Sequence, residues 1–342
     1  MTYNFMNIIV TGACGMIGSF LCEKLITNSD NKVTAIDNLS FGKLNNIDHL
    51  INKNNFAFVN HDLKEELNLD SNFDLIYHLA AYKKSPPVKS KYRNLDDDKN
   101  LDQTMGYDVM VNNSKMTQNI IAFAENHKIP VVFTSTSDVY HNHDDFLEDS
   151  PVTFGPTYVE RFSYALSKWF EEQLYFNKFH EGKIKVSIAR IFGCFSENSK
   201  VGWSAGHMPI FIKKALNNED IIIHGDGEQT RSLSHVSDIV DGLINMGLKH
   251  SDVNGQILNL GSSEEITILD CAKQIISACK SKSKIIFISE EDAHGAGYND
   301  IRRRYANTDK AKKLIGYKTK IKFKEGLNMV LNKINDDKNQ IN

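Results

Sequence analysis

The sequence predicts an α/β protein, a doubly wound parallel sheet followed by a smaller C-terminal α/β lobe. Short apolar runs alternate with helical patterns through the first half of its 342 residues. The first run, Asn7-Ile8-Ile9-Val10, enters a turn carrying Gly12, Gly15 and Gly18, and a helical pattern starts at once. The next strong run, Lys32 to Ile36, closes on Asp37, 19 residues beyond Gly18. Strand, glycine turn, helix and then an acid at that distance are the parts of a Rossmann-type dinucleotide site.

Each element has its own justification. Strands are expected at 5–10, 33–36, 56–59, 74–78, 130–134 and 184–190, and helices at 15–28, 104–127 and 157–180. Continuous rather than alternating apolar strands indicate a sheet covered on both faces. Ligand then sits at the carboxyl ends of the strands, where Gly12, Asp37, Asp62, Ala80 and Thr136 fall. Glycine serves the tight turn, the close approach of backbone to phosphate and the packing of helix on strand. The helix start at Met16 and Ile17 turns free N–H groups and a positive dipole end toward a pyrophosphate.

Past residue 193 the pattern loosens into short helices (208–216, 235–248, 267–280) and brief strands (221–223, 285–288). The expected organisation is a dinucleotide domain over 1–193, with 235–262 contributing back to it, and a substrate lobe over 194–335. The polar tail 336–342 is expected to fray. The aperiodic, charged segment 83–100 suggests a solvated loop at the cleft rim. The apolar band of helix 157–180 is wide enough for core packing alone or for packing plus a subunit contact.

A net charge of -3 gives no general attraction to nucleic acid or anionic lipid, so phosphate binding must be local. The triplet Arg302-Arg303-Arg304 lacks the aromatic interleaving of a nucleic-acid surface. Cys14, Cys22, Cys194, Cys271 and Cys279 have no metal or CxxC spacing and suit small buried thiols in a reducing compartment. His141-Asn142-His143-Asp144-Asp145 fits an exposed acidic loop better than a metal site, and no metal is expected. Glu23 and Lys24 interrupt the first apolar stretch well short of a membrane span, and no secretory pattern precedes it. The expected location is cytoplasmic.

The chemistry is carried by Tyr164 and Lys168, four residues apart on one face of a helix. An ordinary phenol has a pKa of about 10, so its phenolate costs about 4 kcal/mol at neutral pH. An ammonium one turn away, aided by a positive nicotinamide, brings it into working range as a base. Upstream, the strand Val132-Phe133-Thr134-Ser135-Thr136 ends in hydroxyls, and Thr136 could bond the oxygen being oxidised or simply cap a turn.

These motifs resemble the extended short-chain dehydrogenase/reductases, specifically the NAD-dependent nucleotide-sugar epimerase/dehydratase family (UDP-glucose 4-epimerase-like). The resemblance runs from Thr11-Gly12-x-x-Gly15-x-x-Gly18 through Asp62-Leu63, His78-Leu79-Ala80-Ala81, Ser135-Thr136-Ser137 and Tyr164-x-x-x-Lys168. It continues through His224 to Ser232 and Val236 to Gly242, and ends with Asn307 to Tyr317. It implies NAD as cofactor, with Asp37 and Asn38 at the adenosine ribose and Asp62 and Leu63 at the adenine. Leu79, Ala80 and Ala81 would line the nicotinamide side, with Lys83 and Asn112 as further cofactor contacts. Tyr164 would be the base, Lys168 its activator and ribose contact, and Thr136 the partner of the sugar hydroxyl. Arg231, His207, Met208 and Arg303 would face the sugar nucleotide, although Arg231 could equally cap the Gly225–Gly227 turn. A homodimer through helices 104–127 and 157–180 is also implied.

Members of that family share oxidation at sugar C4 and differ afterwards. Ser137-Asp138 follows Thr136, where similar dehydratases place Asp-Glu and decarboxylases Ser-Glu. Asp138 is one methylene short of glutamate, which makes 4-epimerisation of a UDP-linked hexose the first expectation. A 4,6-dehydratase or uronic-acid decarboxylase is the alternative, followed by simple ketone reduction. A non-catalytic NAD-binding scaffold is the reading from another class. Substrate-side departures leave the sugar open: Cys194 after Ile191-Phe192-Gly193, His141 after Tyr140, and His294-Gly295-Ala296-Gly297. The segment 203–209 would cover the nucleotide base.

Overall fold

The computed structural model describes residues 6–69, 72–83, 106–141, 145–155, 162–199, 206–294 and 300–341. Its first six strands are β1 (Asn7–Thr11), β2 (Lys32–Asp37), β3 (Phe56–Asn60), β4 (Leu75–His78), β5 (Val131–Thr136) and β6 (Val186–Ile191). Between them lie α1 (Met16–Ile26), α2 (Gly106–His127) and α3 (Ser163–His180). The second half adds β7 (Cys194–Phe195), α4 (His207–Leu216), β8 (Ile221–His224), β9 (Thr230–Ser232), β10 (Ser234–His235), α5 (Val236–Leu248) and β11 (Ile257–Leu260). It ends with β12 (Glu265–Thr267), α6 (Ile268–Ala278), β13 (Ile285–Ile288), α7 (Glu290–His294), β14 (Arg303–Arg304), α8 (Asp309–Ile315) and α9 (Phe323–Ile341).

The central sheet is parallel throughout, in the order β11-β6-β5-β4-β1-β2-β3. β1, β4 and β5 are buried along nearly their whole length, as strands covered on both faces must be. One face packs Leu21, Cys22 and Leu25 of α1 with Ile239 and Leu243 of α5. The other packs Met116, Ile120 and Phe123 of α2 with Tyr175 of α3. A separate core in the C-terminal half joins Phe211, Ile223, Ile275 and Leu327. β11, within the segment 235–262 expected to contribute back to this domain, extends the sheet beside β6.

α9 runs through to Ile341, so it takes in most of the polar tail. Val330 and Leu331 anchor this helix in the C-terminal core. The segments 84–105, 142–144, 156–161, 200–205 and 295–299 lie outside the described residues. With them fall most of the expected rim loop, the centre of the His141–Asp145 stretch, the start of helix 157–180 and most of the base-covering segment. Among the described residues no helix is long and apolar enough to cross a membrane.

Candidate active site at the carboxyl ends of β1, β4 and β5

The glycine turn is fixed by backbone crowding. Gly12 sits at φ +68°, and a Cβ there would lie 2.8 Å from the Ala80 backbone nitrogen. A Cβ on Gly18 would overlap the Gly12 carbonyl oxygen and come within 2.9 Å of Ala13 Cα. Gly15 precedes α1 in extended conformation, leaving the helix's first N–H groups, from Met16 and Ile17 onward, open to an anion. A cleft opens here, lined by Gly12, Gly15, Asp37, Asn38, Leu63 and Leu79 through Tyr82. The Asp37 carboxylate accepts from the Cys14 N–H at 2.9 Å and the Leu39 N–H at 2.8 Å. Burial nonetheless pushes it above the ordinary carboxylate range. The same burial, followed by the Asp37 charge, raises the Cys14 thiol to about 12, leaving it inert. A narrow glycine-floored cleft with an acid at its far wall suits the adenosine half of NAD.

Asp62 caps the turn after β3, accepting from the Lys64 N–H at 3.0 Å and pairing with the Lys64 ammonium at 3.3 Å. Asn38 bonds Ser40 through its Oδ1. On α2 it is Asn113, not Asn112, that turns inward. Asn113 is fully buried, bonds Tyr82 through both N–H and C=O, and donates to Ser167 Oγ at 2.9 Å. Successive helical residues point about 100° apart, so only one of the two asparagines can face the cleft. The buried face Val109, Asn113, Met116, Thr117 and Ile120 carries that phase in the sequence.

Thr136 ends β5, and its hydroxyl oxygen accepts from the Asp138 N–H at 3.2 Å, so it does cap the turn. The hydroxyl proton remains available to a substrate oxygen. Ser137 is buried beside it, and Asp138 pairs with Arg304 across the cleft. Tyr164 lies in the first turn of α3, with the Lys83 ammonium 5.6 Å from its ring centre. Burial, then the Asp138 and Glu171 carboxylates, push the Tyr164 phenol above its ordinary range. The Lys168 ammonium, one helical turn from Tyr164, pairs with Glu171 at 3.3 Å and lies 4.4 Å over the Phe133 ring. Burial draws Lys168 below the ordinary lysine range against the pull of Glu171. Its positive charge therefore has to be maintained by its surroundings.

The sugar-facing residues are partly rearranged relative to expectation. Arg231 is buried on β9, donating to the Ile301 carbonyl at 2.7 Å and to Asp300 at 2.7 Å. At the Gly225–Gly227 turn, Gln229 donates to the His224 carbonyl at 2.9 Å. His207 opens α4. Burial and the neighbouring Arg231 and Arg304 push its pKa down to about 3, which makes it a neutral hydrogen-bonding group. Met208 is 3% exposed in the C-terminal core, its sulfur 3.3 Å from Cys271 Sγ. Arg303 pairs with Glu265 and stacks 4.2 Å over Tyr305. Side chains alternate along a strand, so in β14 it is Arg304 that faces Asp138. Arg302 pairs with Asp226 at the surface.

Residues 8–261 match the model of the NAD dependent epimerase/dehydratase family. The chain is 31% identical, over 93% of its length and 94% of the relative's, to UDP-N-acetyl-alpha-D-glucosaminuronate decarboxylase of Bacillus cytotoxicus. It is 32% identical to UDP-glucuronic acid decarboxylase 1 of Danio rerio, over 95% of this chain and 71% of that one. Among solved structures, UDP-glucuronic acid 4-epimerase of Bacillus cereus, in complex with UDP-glucuronic acid and NAD, superposes with a TM-score of 0.79. The two share 26% identity over 97% of this chain and 99% of that one. UDP-N-acetylglucosamine 4-epimerase of Methanobrevibacter ruminantium gives the same TM-score at 27% identity, over 98% and 100% of the two chains. The glycine turn, the acid after β2 and the hydroxyl–phenol–ammonium set thus stand in a chain that belongs to the NAD-dependent epimerase/dehydratase family, whose cofactor is NAD.

Proposed function

We propose that this protein is an NAD-dependent decarboxylase of a UDP-linked uronic acid, in place of the hexose 4-epimerase first expected. The observation that carries the reading is the Arg304–Asp138 pair, two residues from Thr136, with Arg231 and His207 close by. A guanidinium beside the catalytic hydroxyls offers a planar, bidentate partner to a sugar carboxylate, which a neutral hexose would not use. Two relatives at or above 30% identity are decarboxylases of uronic acids, and one neighbour is a 4-epimerase solved with UDP-glucuronic acid. Ser137-Asp138 is also one methylene from the Ser-Glu of decarboxylases.

Bound NAD supplies the acceptor for hydride from sugar C4. Tyr164, as phenolate, takes the proton of the C4 hydroxyl, and Thr136 donates a hydrogen bond to the same oxygen. The resulting ketone is β to the C6 carboxylate. The C5–C6 bonding pair therefore moves onto the carbonyl as carbon dioxide leaves. Tyr164 and Thr136 stabilise the enolate oxygen, and a proton delivered to C5 completes the loss. Return of the hydride to C4, with the Tyr164 proton going back to the oxygen, would give the UDP-pentose, whereas release before that return would give the 4-keto form. Asp138 tempers this chemistry: an uncompensated Arg304 would stabilise the departing carboxylate more than neutral carbon dioxide and slow the step. The test is incubation of purified enzyme and NAD with UDP-glucuronate and, separately, with UDP-N-acetylglucosaminuronate. Carbon dioxide and a UDP-pentose or its 4-keto form are expected by NMR. Inversion at C4 with all carbon retained would return the assignment to an epimerase.

A further inference from the structure

Two adjacent glutamates of α3, Glu171 and Glu172, are both buried, and their partners differ. Glu172 takes the Arg190 guanidinium bidentately, at 3.0 and 2.7 Å, and accepts from Ser135. That carboxylate is fully occupied. Glu171 Oε2 accepts from Thr117 of α2 at 2.8 Å and pairs with Lys168 at 3.3 Å, while its Oε1 has no hydrogen-bond partner among the described residues. On the sheet side stand Phe133 and His78, the latter held neutral by burial and by Lys168, its Nδ1 2.7 Å from the Tyr175 hydroxyl. Tyr164 and Tyr175 complete the titratable groups around the pair.

A half-satisfied buried ion pair is poor value for stability, because an apolar pair of similar volume is often as good or better. Its placement points to chemistry. Lys168 has one phenol a turn before it and one carboxylate almost a turn after it, along a single helix stripe.

We propose that Glu171 is a positioning residue that keeps the Lys168 ammonium charged and fixed one turn from the Tyr164 phenol. This rests on Tyr164 and Lys168 acting as base and activator. The physical reason is burial: a lysine with no counter-charge sheds its proton in such a site, and a neutral amine cannot stabilise a phenolate. Burial already draws Lys168 down, and Glu171 is the leading influence that holds it up.

The test is Glu171→Gln, which keeps the shape and the Thr117 hydrogen bond, studied as the NAD-loaded enzyme. The rate of C4 oxidation is followed as NADH absorbance against pH. The alkaline limb, where Lys168 loses its proton, should move down by at least one pH unit, about a tenfold loss at a fixed alkaline pH. Glu171→Asp should restore the wild-type limb. A profile that merely scales down, with both limbs in place, overturns the proposal.

Thermal unfolding provides a readout independent of turnover. In Glu171→Gln the lysine must release its proton on folding, so the unfolded state binds more protons and stability rises with pH. The melting deficit of the variant should therefore narrow between about pH 7 and pH 10, up to the free lysine pKa. A deficit that stays constant across that range means packing alone and also overturns it. Tyr164→Phe separates the two ideas: if it turns over normally, the base assignment fails, while the melting series still decides what Glu171 does to Lys168.

Discussion

At the Gly12 end of the cleft the working groups are glycines and backbone N–H groups, fixed by β1 and α1 within a few residues of one another. At the Thr136 end they are long side chains from β9, β14 and α4, held in ion pairs across far separations in sequence. The first end has little freedom, because its geometry is that of the chain itself. The second is adjustable: one strand position or one methylene changes what faces the sugar. One scaffold can thus keep its cofactor chemistry while its substrate varies, as the mixture of decarboxylases and epimerases among similar proteins illustrates.

The sharpest way to break this contrast is Gly18→Ala. Its Cβ would overlap the Gly12 carbonyl, and both partners are backbone, so no rotamer relieves the clash. Overpacking of this kind costs about 3 kcal/mol. The turn would open to relieve it, and NAD affinity should fall at least a hundredfold in a fluorescence titration. Retained affinity would show that the Gly12 end is as adjustable as the other.

The two ends were not equally legible in the sequence. β1, α1 and Asp37 follow from local rules, periodicity and spacing, and they stand within a residue or two of their expected places. The order of the sheet and the edge strand β11 depend on pairing between distant segments, for which a single sequence carries little signal. The resemblance points to Asn112, whereas the apolar phase of α2 turns Asn113 inward. It points to Arg303 with Arg302 as its alternative, and the pairing of Arg304 with Asp138 is invisible in a two-residue strand until its neighbour β9 is placed. Lys168 was assigned to the phenol from spacing, which is correct for the helix stripe but silent about Glu171 on the same stripe.

A middle-sized effect tests the second end. Arg304→Gln should lower kcat/KM for the uronic acid about a hundredfold, near 3 kcal/mol, since the charge-assisted contact offered by the guanidinium is lost. Arg303→Gln, which removes a largely exposed pair with Glu265, should change kcat/KM less than threefold and leave the melting temperature essentially unchanged. Equal losses in the two variants would mean that the strand phase of β14 does not select the substrate contact.

The smallest expected effect is the most discriminating for the role of Met208. Its sulfur lies against Cys271 and its side chain is enclosed by the C-terminal core, so it belongs to packing although its neighbour His207 lies beside Arg231 and Arg304. Met208→Leu conserves volume, and such swaps usually cost less than about 1.5 kcal/mol. The melting temperature should drop by a few degrees at most, and KM for the sugar nucleotide should be unchanged. His207→Leu removes a buried neutral hydrogen-bonding group and should raise KM with little loss of stability. If instead Met208→Leu raised KM while leaving the melting point alone, α4 would present a different face to the substrate than its burial pattern shows, and the boundary between core and site would have to move by one residue.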